Sequence, residues 1–135
     1  MTETRIKPMA ATETQGPSLD VASLDSRHWL GVFAALVTAA IHLLLGVRLA
    51  PSGIGISFIL AGLGFLGAIV LVILGIRRGL IYAVGVPFTL VQILLWYYVN
   101  FATGPKSFPA DVGTLGAVDK AAQLVLLAVL VALLR

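Results

Sequence analysis

Five polar side chains interrupt the apolar stretches of this 135-residue chain, and they are its best candidates for chemistry. They are His42, Gln92, Asp119, Lys120 and Gln123. An imidazole titrates near neutral pH and can exchange a proton with a nearby carboxylate. Ionisable groups surrounded by lipid are costly unless they are paired, neutralised or within reach of water. Each of these residues therefore needs a partner or a function.

The polar side chains allow a structural and a functional interpretation. In the first, they form an interhelical hydrogen-bond network that fixes helix register, with each contact contributing about 0.6–2 kcal/mol. In the second, Asp119 and His42 exchange charge as a proton- or ligand-responsive site. A third interpretation is that the side chains never meet. The candidate partners of Asp119 are His42, Gln92, Arg48 and water; without one, Asp119 stays protonated.

Four apolar runs carry these side chains, at about 29–47, 53–76, 80–99 and 115–134. The chain is 59% hydrophobic and 11% charged, with a mean hydropathy of +1.04, which is too apolar for a soluble domain. Each run has about the 20 residues that a helix needs to cross a bilayer. The runs lack the alternation of barrel strands, and open strands leave backbone groups unpaired in lipid. We therefore predict an all-α transmembrane fold.

Short connections between the runs predict an up-down-up-down four-helix bundle. The second turn is expected to contain only Arg77, Arg78 and Gly79, and Pro51 suits the start of the second helix. Residues 1–27 contain no apolar run and are predicted to be a disordered cytoplasmic tail. The transmembrane domain then occupies residues 28–135.

Positive charge predicts the orientation of the bundle. One side carries most of the basic residues, namely Arg5, Lys7, Arg27, Arg77, Arg78 and Arg135, and the other side carries Arg48 and Lys106. The positive-inside rule then places both termini in the cytoplasm, with the protein in the cell (cytoplasmic) membrane. In that orientation His42 and Asp119 lie roughly 8 and 6 Å below the outer surface. Lys120 is long enough to extend its ammonium to that surface.

Small residues predict how the helices pack. In the second span they recur at a spacing that lets helix backbones approach closely, and we expect them to face inward: Gly53, Ser57, Ala61, Gly64 and Ala68. The third span carries a stripe of small and polar residues: Gly85, Thr89, Gln92, Trp96 and Asn100. The glycine-rich second helix is also a candidate contact in a homo-oligomer.

Charge positions and cysteine content exclude several functions. The net charge of +3 comes from basic residues at helix ends and turns, so we expect no nucleic-acid partner. The absence of cysteine excludes disulfides and thiolate metal sites. His28 and His42 lie roughly 21 Å apart along one helix, so we expect no metal site or cofactor within one subunit. Pairing of His42 with its symmetry mate in an oligomer is the remaining metal hypothesis.

Several short phrases resemble a group of small, uncharacterised four-span membrane proteins of halophilic archaea. They are HWLGV at 28–32, IHLLLGV at 41–47, GISFILAGLGF at 55–65, YAVGVPFTLVQ at 82–92 and VDKAAQ at 118–123. The resemblance covers residues 28–135 and implies a fold and a source. It implies no activity and no site residues.

The sequence as a whole predicts a non-enzymatic accessory or structural component of the membrane. No catalytic motif is visible, and a catalytic site needs several positioned polar groups around a pocket. The expected partners are the lipid bilayer, a second copy of the chain or an unknown membrane protein. The alternative is a small oligomeric transporter or channel in which Asp119, with His42, handles a proton or an ion.

Overall fold

The computed structural model describes residues 19–135, which contain helices and no strand. After a 3₁₀ turn at Val21–Ser23 come four helices: α1 (Ser26–Leu49), α2 (Gly53–Ile73), α3 (Arg78–Tyr97) and α4 (Thr114–Leu134). A π-helical segment, Tyr98–Ala102, extends α3. All four helices are long and apolar enough to cross a membrane. The predicted all-α, four-helix fold is confirmed.

Three helix boundaries differ from the sequence expectation for local reasons. α1 begins at Ser26, before the expected start at 29, because Asp25 accepts hydrogen bonds from the backbone of Arg27 and His28 at 3.0 and 3.2 Å and caps the helix. α2 ends at Ile73 instead of 76. The turn that follows occupies 74–77, where Gly75 has a φ of 71° that glycine adopts without strain. Arg78 therefore opens α3 and does not belong to the turn.

Residues 19–27, which the sequence assigns to a disordered tail, make defined contacts with the bundle. Arg78 donates hydrogen bonds to the Val72 carbonyl at 2.7 Å, to Ser23 Oγ at 2.6 Å and to the Asp20 carbonyl at 2.9 Å. Leu24 is buried against the core. This segment is therefore held against the α2–α3 turn. The remainder of the predicted tail, 1–18, lies outside the described residues.

α1 is the helix around which the bundle is packed. It packs closely on both α2 and α4, and its buried face consists mainly of small residues: Gly31, Ala34, Ala35, Thr38, Ala39 and Gly46. A Cβ at Gly46 would lie 2.6 Å from Ile59 Cγ1 and 2.8 Å from the Ile59 backbone nitrogen, so only glycine fits this approach. α3 packs mainly on α4 and only lightly on α2. The α2–α3 seam is thus the loosest of the bundle.

The small residues of α2 do not all face as predicted. Gly53 and Ser57 are exposed, and a Cβ at Gly53 would meet nothing within 4 Å. Gly55 and Gly62 are buried instead, and a Cβ at Gly62 would lie 2.7 Å from Leu43 Cγ. The prediction that Gly53 and Ser57 face inward is wrong. A four-residue spacing places residues on one face of a helix, but it does not determine which helix packs against that face. The other members of that stripe are half-buried or exposed: Ala61, Gly64 and Ala68.

The outer surface of the bundle is lined with large apolar side chains along its length. Examples from three helices are Phe33 at 66% exposure, Leu60 at 64% and Leu124 at 59%. Such a surface is stable against lipid tails and would drive aggregation in water.

Candidate functional site

Asp119 is the centre of a polar network between α1 and α4. Its side chain is only 7% exposed, and each carboxylate oxygen has a hydrogen-bond partner. Thr38 Oγ1 donates to Oδ1 at 2.5 Å, and Lys120 Nζ donates to Oδ2 at 2.6 Å. Bonds to an ionised group are the short and strong ones. Asp119 is therefore paired within the chain.

Lys120 turns toward Asp119, and the expectation that it extends to the membrane surface is wrong. Its side chain is 12% exposed, and Nζ also donates to Gln123 Oε1 at 2.6 Å. The ammonium lies 5.3 Å from the centroid of the Trp96 ring, which adds a cation–π contact. The flexible four-carbon stem lets the ammonium reach these groups although Lys120 and Asp119 are adjacent in sequence. Side-chain oxygens of Asp119 and Gln123 and the face of the Trp96 ring thus take the place of the water molecules that would solvate the ammonium at the membrane surface.

His42 lies beside Asp119 but bonds mainly to the backbone of its own helix. Nδ1 is 2.9 Å from the Thr38 carbonyl oxygen and 3.5 Å from Asp119 Oδ1. The shorter contact assigns the Nδ1 proton to the Thr38 carbonyl. The ring packs against Phe58 and Phe65 of α2, with centroids 5.3 and 5.8 Å apart. His42 thus connects the α1–α2 packing to the α4 carboxylate.

Gln123 extends the network from α4 to α3. It is fully buried at 0% exposure, and its Nε2 lies 3.4 Å from Gln92 Oε1. Gln92 in turn donates to the Phe88 carbonyl at 3.1 Å. The contact between the two glutamines is the longest hydrogen bond of the network and therefore the weakest. Through it, polar contacts join three of the four helices.

The structure brings the five sequence-predicted residues into one network and adds Thr38. We call the six residues the Asp119 network: Thr38, His42, Gln92, Asp119, Lys120 and Gln123. Sequence reasoning did not assign Thr38 as a partner of Asp119. The sequence does contain a sign of this role, because Thr38 precedes His42 by four residues and therefore lies on the same face of the helix. Arg48, a candidate partner in the sequence, is exposed and lies outside the network.

The Asp119 network lies deeper than the sequence estimate. Thr38 is near the middle of the 24-residue α1, whereas Asp119 is only five residues from the start of α4. Eleven residues of α1 follow Thr38, so α4 starts roughly 9 Å deeper in the bundle than α1 ends. The estimate of about 6 Å for Asp119 assumed that both helices reach the same surface.

The opposite end of α1 carries a second charged group. Asp25 accepts hydrogen bonds from Arg27 Nε and Nη2 at 3.0 and 2.9 Å and lies 2.8 Å from His28 Nδ1. The Arg27 side chain, followed by His28, holds the pKa of Asp25 well below its ordinary 3.8. Asp25 is solvent-exposed, so this arrangement caps α1 and does not form a buried site.

Two buried hydroxyls lack a hydrogen-bond partner within residues 19–135. They belong to Tyr82 and Thr89, both on α3. Neither residue belongs to the Asp119 network. Buried polar atoms without a partner are uncommon, and each needs an explanation.

Four helices that are long and apolar enough to cross a membrane, three of them joined by a buried polar network, define the class of small, all-α, four-helix proteins of membrane-spanning length. The chain belongs to DUF7475, a family of unknown function whose family model matches residues 14–134. That range includes all four helices and the whole Asp119 network. No curated protein matches the chain, and no solved structure matches it.

Proposed function

We propose that this protein is a non-enzymatic, multi-pass component of the cell membrane whose Asp119 network holds three helices in one arrangement. One observation supports this most strongly. Both charges of the buried Asp119–Lys120 pair are satisfied by groups of the chain itself. A group that binds and releases an ion has to exchange partners, whereas a closed network favours a fixed structure. We infer that the protein serves as a structural or accessory component.

Both termini are proposed to lie in the cytoplasm. The support is the distribution of Arg and Lys in the sequence, which favours the side that carries the termini and the α2–α3 turn. Reporter fusions to the C-terminus test this orientation, because a cytoplasmic fusion protein is active only on that side. The resemblance to proteins of halophilic archaea supports an archaeal cell membrane as the location.

A second copy of the chain is the proposed protein partner, with lipid on the remaining surface. The support is a stripe of small exposed residues on α2: Gly53, Ser57, Gly64 and Gly67. A Cβ at Gly53 or Gly67 would meet nothing within 4 Å among the described residues. The chain has no native cysteine, so Gly67→Cys allows an unambiguous disulfide crosslinking test in membranes. A cysteine at Val125, on the exposed face of α4, is the matched control.

The test of the proposed function is reconstitution of the purified protein into liposomes. We measure proton flux with an entrapped pH-sensitive dye, and ion flux with a broad panel of cations and anions. The expected result is no flux above that of protein-free liposomes, for both the wild type and Asp119→Asn. Flux in the wild type that disappears in Asp119→Asn overturns the proposal.

One observation favours a small oligomeric transporter or channel as the second candidate. His42 Nδ1 lies 3.5 Å from Asp119 Oδ1, so a small movement of the imidazole would turn this contact into a direct hydrogen bond. In this case Asp119 and His42 exchange a proton or bind an ion during transport. The wild type and His42→Gln together separate the two candidates: a transporter shows pH-dependent flux that His42→Gln abolishes, whereas a structural protein shows no flux in either form.

A further inference from the structure

A narrow apolar cavity of about 60 Å³ lies in the half of the bundle that contains the two termini. All four helices line it. Along α1 it extends from His28 near the helix start to Ala35, a distance of roughly 10 Å. Phe65 of α2 contributes to the lining farther from the termini. The lining residues therefore extend from the surface that carries the termini toward the middle of the bundle.

The polar groups of this cavity lie at its outer end. Tyr82 is 7% exposed and its hydroxyl has no hydrogen-bond partner among the described residues. Its ring centroid lies 5.9 Å from that of His28, whose Nδ1 is already within 2.8 Å of Asp25. The rest of the lining consists of aliphatic residues, glycine and Phe65. A buried hydroxyl without a hydrogen-bond partner among residues 19–135 is uncommon and needs an explanation.

Water is a poor occupant of this cavity. A buried water molecule usually makes two to four hydrogen bonds to polar groups, and here only the Tyr82 hydroxyl and the His28 ring are polar. Cavities lined by aliphatic and aromatic side chains stay dry and take up apolar molecules instead. The lining therefore favours a hydrocarbon chain with one polar atom at its end.

The α2–α3 seam is the part of the cavity wall through which a lipid chain would enter most easily. These two helices pack on each other more lightly than the other neighbouring pairs. Both contribute to the cavity wall, α2 through Ala68 and Ile69 and α3 through Ile81 and Tyr82. Separation of these two helices would expose the cavity on the side of the bundle.

We propose that this cavity binds the hydrocarbon chain of a membrane amphiphile, and that the Tyr82 hydroxyl donates a hydrogen bond to an uncharged oxygen at its polar end. A carbonyl or ether oxygen has the required chemistry. A glycerolipid supplies it from an ester or ether linkage, and an isoprenoid quinone supplies it from a ring ketone. The proposal is independent of the role of Asp119.

Photolabelling of the full-length protein in liposomes tests the proposal. The probe is a long-chain 2-alkanone with a diazirine at the chain end, and mass spectrometry identifies the labelled residues. We expect labelling at the deep end of the cavity, around Phe65 and Ile69. Tyr82→Phe removes only the hydroxyl, and loss of one hydrogen bond is expected to weaken probe binding about tenfold.

A cavity-filling variant and a matched control complete the experiment. Ala68→Leu fills the cavity and is expected to abolish the labelling. Ala121→Leu makes the same change on the exposed face of α4 and is expected to leave labelling unchanged. Thermal unfolding in detergent identifies any variant that fails to fold, and Tyr82→Phe still tests the proposal if Ala68→Leu fails.

Competition with unlabelled compounds identifies the source of the ligand. Suppression by an isoprenoid quinone assigns the site to a quinone, and suppression by a glycerolipid assigns it to a bilayer lipid. Both results support the proposal. Labelling that is equal in the wild type, Tyr82→Phe and Ala68→Leu overturns it, as does labelling confined to the outer surface of the bundle.

Discussion

Thr38 Oγ1 donates a 2.5 Å hydrogen bond to Asp119 Oδ1, which joins α1 to α4 across 81 positions of the sequence. The bond is buried, because Thr38 is 0% and Asp119 5% exposed. It gives the carboxylate a neutral donor on one oxygen while Lys120 supplies a charged donor on the other. Asp119 is thereby stabilised in an apolar bundle without contact with solvent.

Thr38→Val is expected to destabilise the protein by about 1–2 kcal/mol, because it removes a donor to a buried carboxylate and conserves side-chain shape. Denaturation in mixed detergent micelles with increasing sodium dodecyl sulfate measures the change. Thr89→Val is the matched control. Thr89 is buried at 0% exposure, and its hydroxyl has no hydrogen-bond partner within residues 19–135, so we expect this change to be neutral or stabilising. Equal losses in the two variants would contradict the assigned hydrogen bond.

Gly46→Ala is expected to destabilise the α1–α2 contact by about 1–3 kcal/mol through overpacking. The new Cβ would lie 2.6 Å from Ile59 Cγ1 and 2.8 Å from the Ile59 backbone nitrogen, and the backbone cannot give way cheaply. Gly79→Ala, near the start of α3, is the control, because a Cβ there meets nothing within 4 Å and alanine is the better helix former. The same unfolding assay compares them. A stable Gly46→Ala protein would show that the two helices are not packed this closely.

Because of Asp25, the stability of the folded protein is expected to fall at acid pH. Because its pKa in the folded protein is below the ordinary 3.8, its contribution is fully present above about pH 4. The contribution is lost as pH falls from there through the lower folded pKa. Asp25→Ser retains a capping oxygen without the titration, so its stability should fall less steeply below pH 4. Thermal unfolding across pH 2–5 checks this, and parallel curves would contradict it.

Arg78→Gln is expected to release the segment around Asp20 and Ser23 from the α2–α3 turn. The guanidinium makes three hydrogen bonds there, including one to the Val72 carbonyl, and glutamine cannot replace them all. Hydrogen exchange of residues 19–24 should become faster in this variant. Arg77→Gln is the control, because Arg77 is the exposed neighbour and makes none of these bonds. Unchanged exchange in Arg78→Gln would contradict the role of Arg78.

Hydropathy is sufficient to predict the four helices, because lipid offers long apolar runs no alternative to helical hydrogen bonding. The expected starts at 53 and 115 agree within one residue with Gly53 and Thr114. The start of α1 is less predictable, because the cap at Asp25 adds a polar turn to the apolar run. Likewise, the break after Ile73 depends on the positive φ of Gly75, which hydropathy does not register.

The composition of the Asp119 network is predictable, but its connections are not. Polar residues in apolar runs identify His42 and Asp119, because lipid makes each of them costly. The direction of Lys120 depends on its rotamer and on the position of Trp96, which spacing along one helix does not determine. The hydrogen bond from Thr38 to Asp119 depends on how far α4 is shifted along its axis relative to α1. That shift results from packing between segments that are distant in the sequence.

We expect the Asp119–Lys120 pair to act as a structural element of the bundle. Asp119→Leu and Lys120→Met each leave one charge buried without its partner, and each is expected to cost about 3–5 kcal/mol. The double variant removes both charges and keeps apolar volume, so we expect it to recover most of that loss. The most direct test is the double-mutant cycle of these three variants, measured by denaturation in mixed micelles. Recovery of stability in the double variant is the predicted result. Additive losses would show that the two charges do not stabilise each other in the bundle.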